Sequence, residues 1–321
     1  MNSIRCLGCY KPLQMQISGN YHSACSKRLF GTDVPPKINF GIGELEALAL
    51  KSLNQHLGLT GVQAKISVHV EKATADPTHR LMIVDLWGNF ILKPPTKQFP
   101  EMSVLEDVTM HMAQVCGLKV AKHGLVELKS GELAYVTKRF DRPKKGKKVA
   151  VEDFCQLSGL LTESKYSSSL EKAGKIIFKY SSNSGLDIIA FFDLILFSFV
   201  TGNSDMHLKN FSLMRSDEDE IVLAPFYDLL ATKLLIPEDK EEMALTINAK
   251  KSKIKRQDFM ALAKNFNIPD IASEKCFKRI LKKDQEMKQL INESFLSSEM
   301  KEKYLSLVDE RLKTLSSCSS L

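Results

Sequence analysis

Three residues in the second half of the chain have the types and the spacing for phosphate chemistry on a metal. Asp205 and Asn210 stand five positions apart in Gly202-Asn203-Ser204-Asp205-Met206-His207-Leu208-Lys209-Asn210-Phe211, the D-x-x-x-x-N spacing of a protein-kinase catalytic loop. A second acid, Asp228, closes Ala224-Pro225-Phe226-Tyr227-Asp228 on the far side of a predicted short hairpin. Phosphoryl transfer from ATP needs a carboxylate to accept the attacking hydroxyl's proton. It also needs an amide oxygen and a second carboxylate to hold magnesium on the phosphates. The stretch supplies these in that order. Asp205, His207, Asn210 and Asp228 also suit the two-metal cluster of a phosphoesterase, so the spacing alone leaves both chemistries open.

A kinase reading requires a nucleotide clamp upstream, and three features are placed for one. Gly58-Leu59-Thr60-Gly61-Val62-Gln63-Ala64-Lys65 runs into an alternating strand, Ile66 to Val70. Two glycines there let backbone N–H groups approach phosphate oxygens, with Lys65 adding charge; plain turn glycines read the same way. Lys93 ends the apolar strand Phe90-Ile91-Leu92, where a lysine projects toward phosphates or snorkels to solvent. Glu106, in the first turn of a helix expected over Ser103 to Cys116, either pairs with Lys93 or closes a capping box with Ser103. The exit of a strand over Leu133 to Arg139, into Phe140-Asp141-Arg142 and a lysine-rich loop, is where a two-lobed nucleotide enzyme places its hinge.

Near the start, Cys6, Cys9, His22 and Cys25 form a C-x2-C-x12-H-x2-C pattern. Three thiols and an imidazole can complete a tetrahedral Zn2+ site. The alternative is buried structural cysteines with His22 as a polar neighbour.

The elements that must carry these residues change character along the chain. Strands dominate the first part: Leu81 to Leu86, Asn89 to Lys93, Gly124 to Leu128 and Leu133 to Arg139. Helices dominate the second: Glu171 to Tyr180, Leu186 to Val200, Gln257 to Asn265, Ile271 to Glu293 and Ser298 to Leu315, with a further short one at Glu44 to Asn54. That segregation predicts an α+β, two-lobed fold. The expected domains are a Cys/His-containing segment over 1–35, a β-rich N-lobe over 36–150 and a helical C-lobe over 151–321. At 321 residues, 44% hydrophobic and 26% charged, the chain has ordinary globular composition, which argues against wholesale disorder. A net charge of +7 suits acidic partners without choosing among them. Seven cysteines without an export signal, and an apolar run at Ile188 to Val200 broken by Asp193, predict a cytoplasmic protein with no membrane span.

From Gly58 to Leu315 the chain resembles the HipA family of toxin serine/threonine kinases. The resemblance is carried by Gly61-Val62-Gln63-Ala64-Lys65, Phe90-Ile91-Leu92-Lys93-Pro94, Arg139-Phe140-Asp141-Arg142, Glu152-Asp153-Phe154-Cys155-Gln156, Asp205-Met206-His207-Leu208-Lys209-Asn210-Phe211 and Pro225-Phe226-Tyr227-Asp228. The short start looks most like the split-system form, HipT. There the missing subdomain resembles a separate small protein, HipS, encoded beside a DNA-binding antitoxin, HipB. The resemblance implies a two-lobed protein-kinase-like fold that uses ATP and Mg2+. It makes Asp205 the catalytic base, Asn210 and Asp228 the metal ligands, and Lys93 an α-phosphate contact. It also puts His207 at the phosphate site and backbone groups of Lys138 and Phe140 at adenine. The family carries a glutamate where Lys138 stands. Asp141 would meet the ribose, and Gly61, Val62, Gln63 and Lys65 belong to the nucleotide loop. The implied substrate is an aminoacyl-tRNA synthetase, glutamyl or tryptophanyl, and DNA is reached only through the antitoxin. The family's loop hydroxyls are autophosphorylated. Gly58 occupies the first such position here, so Thr60 is the candidate that remains.

The leading expectation is therefore an ATP-dependent protein kinase toxin. A metal phosphoesterase leaves Lys93 and the glycine loop without a task. An inactive kinase-like module that only binds nucleotide is the other alternative.

Overall fold

The computed structural model describes residues 4–13, 19–45, 47, 63–72, 79–84, 87–143 and 146–316. The chain divides into two compact units. One comprises Met1–Val108, Ala121–Lys148 and Glu293–Phe295; the other comprises Thr109–Val120, Val149–Asn292 and Leu296–Leu321.

The first unit is built on a five-stranded antiparallel sheet of β1 (Ile66–Lys72), β2 (His79–Ile83), β3 (Phe90–Lys93), β4 (His123–Glu127) and β5 (Leu133–Lys138), in the order β2-β1-β3-β5-β4. β3 lies between β1 and β5, with Leu92 opposite Ile66 on one side and Val136 on the other. The same register sets Lys93 opposite Tyr135. Phe90, Leu92, Leu125, Ala134 and Val136 are buried on this sheet. Helix α1 (Ser23–Phe30) ends at Gly31, whose φ of 82° is the left-handed value that glycine adopts freely. Its Phe30 ring packs 5.7 Å from that of Phe90.

That packing joins the Cys/His-containing segment to the sheet. The first 35 residues fall in the same compact unit as the sheet. Tyr10, Tyr21, Leu29 and Phe30 are buried, and the Tyr21 hydroxyl donates to the Leu125 carbonyl at 2.7 Å. A segment that contributes core side chains cannot be separated from the sheet it covers.

Helix α2 (Met102–Val115) is buried on every side from Ser103 to Ala113, the pattern of a core helix. The expected helix at Glu44 to Asn54 lies largely outside the described residues, as do Asp85 and Leu86 at the end of the expected second strand.

The second unit gathers the remaining helices around α5 (Ser184–Thr201), with α3 (Phe154–Leu157), α4 (Leu170–Tyr180), α6 (Thr232–Leu235), α7 (Arg256–Asn265), α8 (Asp270–Lys282), α9 (Asp284–Glu293) and α10 (Ser298–Ser316). Phe191, Phe192, Leu194, Leu196, Phe199 and Val200 of α5 are buried. Among the described residues α5 is the helix long and apolar enough to cross a membrane, and it serves here as the core of this unit. A three-stranded sheet of β6 (Val151–Asp153), β7 (Ser212–Arg215) and β8 (Ile221–Leu223) completes the unit. β7 and β8 form the expected hairpin, with Leu213 opposite Leu223.

The single helix expected over Ile271 to Glu293 is two. Lys283 interrupts it, its N–H donating to the Ile280 carbonyl in a tightened last turn. Asp284 then opens the next helix, its carboxylate 2.8 Å from Lys288 one turn on. Apolar periodicity runs through such a break, so the pattern alone could not reveal it.

Candidate active site

In the second unit, α5 delivers the chain into the Asp205 loop. It stops at Gly202, whose φ of 68° turns the backbone away, and the Asn203 N–H closes the cap on the Ser198 carbonyl at 2.8 Å. The loop is then pinned from two sides. The Ser204 N–H donates to Thr232 Oγ1 at 2.9 Å, and the Lys233 N–H donates to the Gly202 carbonyl at 3.0 Å. On the other side Lys209 Nζ reaches Asp153 Oδ2 at 2.7 Å. Asp153 also caps α3, accepting from the Gln156 N–H while the Gln156 side chain returns to the Asp153 N–H. The Glu152-to-Gln156 motif therefore acts by anchoring the loop.

Within the loop, the His207 N–H donates to the Asp205 carbonyl at 2.8 Å and the Asn210 N–H donates to the His207 carbonyl at 2.9 Å. Asn210 Nδ2 donates to that same Asp205 carbonyl at 2.9 Å. With one amide hydrogen committed inside the loop, Asn210 keeps Oδ1 as a lone-pair atom of the kind that suits a hard cation.

Tyr227 ties the Asp228 segment to this loop. Its hydroxyl donates to the Lys209 carbonyl at 3.0 Å and shares a 2.6 Å hydrogen bond with Ser212 Oγ. Asp228 follows at φ 60°, a left-handed conformation that a short polar side chain tolerates. Its carboxylate lies close enough to act on the His207 imidazole. Burial holds His207 below its ordinary value while the charge of Asp205 pulls the other way, which favours the neutral ring. His207 Nδ1 is buried with no hydrogen-bond partner among the described residues, so the site has hydrogen-bonding capacity to spend on a ligand. Asp205, His207, Asn210 and Asp228 are thus brought together.

Tyr166 is a site neighbour that sequence reasoning missed. Its hydroxyl donates to Asp205 Oδ1 at 2.5 Å and its ring stands edge-on to His207 at 5.1 Å. Burial, and then the Asp205 carboxylate, push the phenol above its ordinary value, so it stays a donor. It lies 39 positions before Asp205 in a polar stretch without periodicity, and no local pattern marks it.

The first unit holds the expected clamp residues. Lys93 Nζ lies 2.6 Å from Glu106 Oε1, both side chains are buried, and the ammonium stands 5.4 Å from the centre of the Tyr135 ring. This settles the two roles considered for Glu106. Helix α2 already begins at Met102, so Ser103 is inside it, and Ser103 Oγ donates to the Lys93 carbonyl at 3.0 Å.

The other residues expected around the nucleotide have these surroundings. Gln63 Nε2 donates to the Pro94 carbonyl at 2.9 Å, which makes its side chain a brace for the end of β3. Lys65 is exposed. The Lys138 N–H donates to the Lys122 carbonyl at 2.7 Å and is spent within the unit; its ammonium is held below the ordinary value by burial and then by Lys122. Asp141 is gripped by Arg139 through two bonds of 2.9 and 2.6 Å and by Arg142 at 3.2 Å. Burial alone would raise its carboxyl, but the two guanidinium groups hold it lower. Gly58, Thr60, Gly61 and Val62, together with Lys144 and Lys145, lie outside the described residues. Phe140 is half-buried at the exit of β5.

Away from these, the donor atoms of Cys6, Cys9, His22 and Cys25 all lie within 4.8 Å of one another.

A buried lysine–glutamate pair at the end of a strand, in a unit distinct from one with a D-x-x-x-x-N loop and a following acid, defines a protein-kinase-like protein. Residues 57–294 match the HipA-like C-terminal domain, and the chain belongs to that family of HipA-type kinases. It is similar to a Haemophilus influenzae protein named "Putative kinase", 27% identical over 75% of this chain and 77% of the relative. It is also similar to "Putative kinase Y4dM" of Sinorhizobium fredii, 32% identical over 70% of this chain, and spans about half, 54%, of that relative. Among solved structures, HipA from the HipA, HipB and operator DNA complex of the Shewanella oneidensis toxin–antitoxin system shares the fold. The TM-score is 0.67 at 20% identity, over 80% of this chain and 64% of that one. The Helicobacter pylori proinflammatory kinase CtkA matches with a TM-score of 0.54 at 17% identity, covering 81% of this chain and 91% of the other.

Proposed function

We propose that this protein is an ATP- and Mg2+-dependent protein serine/threonine kinase that acts as the toxin of a toxin–antitoxin pair. The observation that carries the reading is the Asp205–Asn210 loop, in which one backbone carbonyl orders both the His207 N–H and the Asn210 amide. Asp205 accepts the proton of the attacking hydroxyl as its oxygen bonds to the γ-phosphorus and the bond to the bridging oxygen of ADP breaks. Asn210 and Asp228 would hold magnesium, which would supply charge neutralisation for the phosphates. Lys93, oriented by Glu106, steadies the phosphates nearer the nucleoside. His207 offers its spare nitrogen to a phosphate oxygen. Tyr166 holds the Asp205 carboxylate in one rotamer.

The buried Lys93–Glu106 pair favours this reading over a metal phosphoesterase, which gives that pair no task. An aminoacyl-tRNA synthetase, glutamyl or tryptophanyl, is the protein substrate by family resemblance, and Thr60 is the residue for autophosphorylation. A HipB-like DNA-binding protein and a small HipS-like protein are the matching antitoxin partners, in the split HipT arrangement.

The test is intact-mass analysis after incubation with Mg-ATP and a panel of purified synthetases. One added phosphate on a synthetase or on the chain itself, lost in Asp205→Gln, is expected. Phosphate transfer undiminished in Asp205→Gln would remove the assignment. Nucleotide binding without transfer across the panel would favour the inactive module.

A further inference from the structure

Cys6, Cys9, His22 and Cys25 come together from two local structures of different kinds. The first pair sits on a knuckle turn: the Cys9 and Tyr10 N–H groups both donate to the Cys6 carbonyl, at 3.3 and 2.9 Å, and the Cys6 N–H donates to the Lys11 carbonyl at 2.9 Å. Tyr10 takes φ 62° to complete that turn. The second pair comes from the start of α1, with His22 at its N-cap and Cys25 in its first turn. Two ligands from a knuckle and two from a helix start are enough to surround one ion.

The surroundings of the four donors are those of a metal site. Cys6 Sγ receives two backbone N–H groups, from Gly8 at 3.4 Å and His22 at 3.3 Å, an arrangement that stabilises a thiolate. The imidazole is oriented by its far nitrogen: Nε2 lies 3.1 Å from the Pro12 carbonyl, which fixes Nε2 as the protonated nitrogen. Nδ1 is then the lone-pair atom, and it points inward, 3.4 Å from Cys9 Sγ. A ligating histidine is commonly oriented by such an outer carbonyl. Cys6, Cys9 and Cys25 are all free thiols.

We infer that these four residues bind one structural Zn2+ ion. Three thiolates and one imidazole match the tetrahedral preference of zinc, and with four protein ligands the site has no open position for catalysis. Its task is mechanical. Tyr10, next after the Cys9 ligand, donates its hydroxyl to Asp107 Oδ2 at 2.6 Å, and the other oxygen of Asp107 lies 2.7 Å from His123 Nδ1. Leu7, next after Cys6, accepts the Leu125 N–H at 3.1 Å. Tyr21, next before His22, lies against Gly124, where any Cβ would collide with its ring hydroxyl. The ion thus fastens a polar segment whose flanking side chains are seated on β4 and beside Glu106.

The test uses the full chain purified under reducing conditions without added chelator. Elemental analysis is expected to give about one zinc per chain, and native mass spectrometry the matching adduct. Cobalt exchanged into the chain is expected to give the intense visible bands of a tetrahedral thiolate site. Cys9→Ser and Cys25→Ser change partly exposed ligands and are expected to lose the metal, whereas Cys155→Ser, a buried cysteine outside the cluster, keeps it. In the wild type, a strong chelator is expected to lower the thermal midpoint and speed hydrogen exchange over residues 5–30. Three results would each overturn the inference: folded, reduced chain that neither contains nor takes up zinc or cobalt; zinc retained in both serine variants; or a disulfide within the cluster in the freshly isolated chain. This outcome is independent of whether Asp205 supports phosphoryl transfer.

Discussion

Lys93 Nζ and Glu106 Oε1 lie 2.6 Å apart with both side chains buried, so each charge is held away from water by the other's presence. Removing one partner takes the nearest opposite charge from a buried ion, a loss that costs roughly 3–5 kcal/mol. Lys93→Met is therefore expected to lower the thermal midpoint as well as to weaken nucleotide binding. The double variant Lys93→Met/Glu106→Leu is expected to recover most of the stability and none of the activity. Thermal melts paired with nucleotide titrations separate the two effects; a Lys93→Met protein that melts like wild type would contradict the burial argument.

Tyr166 donates to Asp205 Oδ1 at 2.5 Å, and its ring also stands edge-on to His207, a contact that phenylalanine would keep. A hydrogen bond to a charged group contributes about 1.5–3 kcal/mol, so Tyr166→Phe is expected to lower kcat about tenfold or somewhat more. If Asp205 is the base, as proposed, this tyrosine orients it, and the KM for ATP should stay nearly unchanged. A change in KM with kcat preserved would give Tyr166 a binding role instead.

Gly202 has φ 68°, and a Cβ there would stand 2.7 Å from Leu307 Cδ2 and 3.1 Å from Lys233 Cβ. Gly202→Ala combines left-handed strain with a close approach to α10, at a cost of about 1–3 kcal/mol. Denaturant titration should show that loss. Activity per folded molecule should fall too, since Gly202 starts the Asp205 loop.

Asp258, at the start of α7, gives a pH dependence unrelated to the active site. Burial would raise its carboxyl, but Lys250 at 2.7 Å, Asn248 at 2.9 Å and the Lys255 N–H at 2.9 Å together hold it below the ordinary value. A depressed folded-state pKa adds stability that is present above the unfolded pKa of about 3.9 and is lost as pH falls through the lower folded value. Asp258→Asn is expected to destabilise the second unit at neutral pH and to flatten its acid limb. Melts recorded from pH 7 down to pH 3 should converge with wild type at the acid end.

Legibility in the sequence followed the range of the interactions. Asp205, His207 and Asn210 could be placed because their contacts are made within one loop, where spacing fixes geometry. The strand–helix logic likewise placed Lys93 and Glu106 in mutual reach, but Ser103 offered Glu106 a competing local partner. Only the start of α2 at Met102 decides between them. What stayed hidden depends on pairs far apart in the chain: Tyr166 with Asp205, Tyr10 with Asp107, Lys138 with Lys122. Gln63 sits in a glycine-loop motif, yet its amide is spent on Pro94, which no motif records. The lysine that parts α8 from α9 is equally silent, since lysine is a good helix former and the apolar stripe continues past it.

The Tyr227 hydroxyl, bonded to both Ser212 and Lys209, has a consequence for how this centre responds to damage. It welds the Asn210 and Asp228 segments into one moving part, so the two residues drift together or not at all. Were a cation held by both, a lesion at either segment would disturb the other ligand as well as its own. Tolerance to mutation around this centre should therefore be poorest at its fastenings, Tyr227 and Ser212, which take no part in the chemistry themselves.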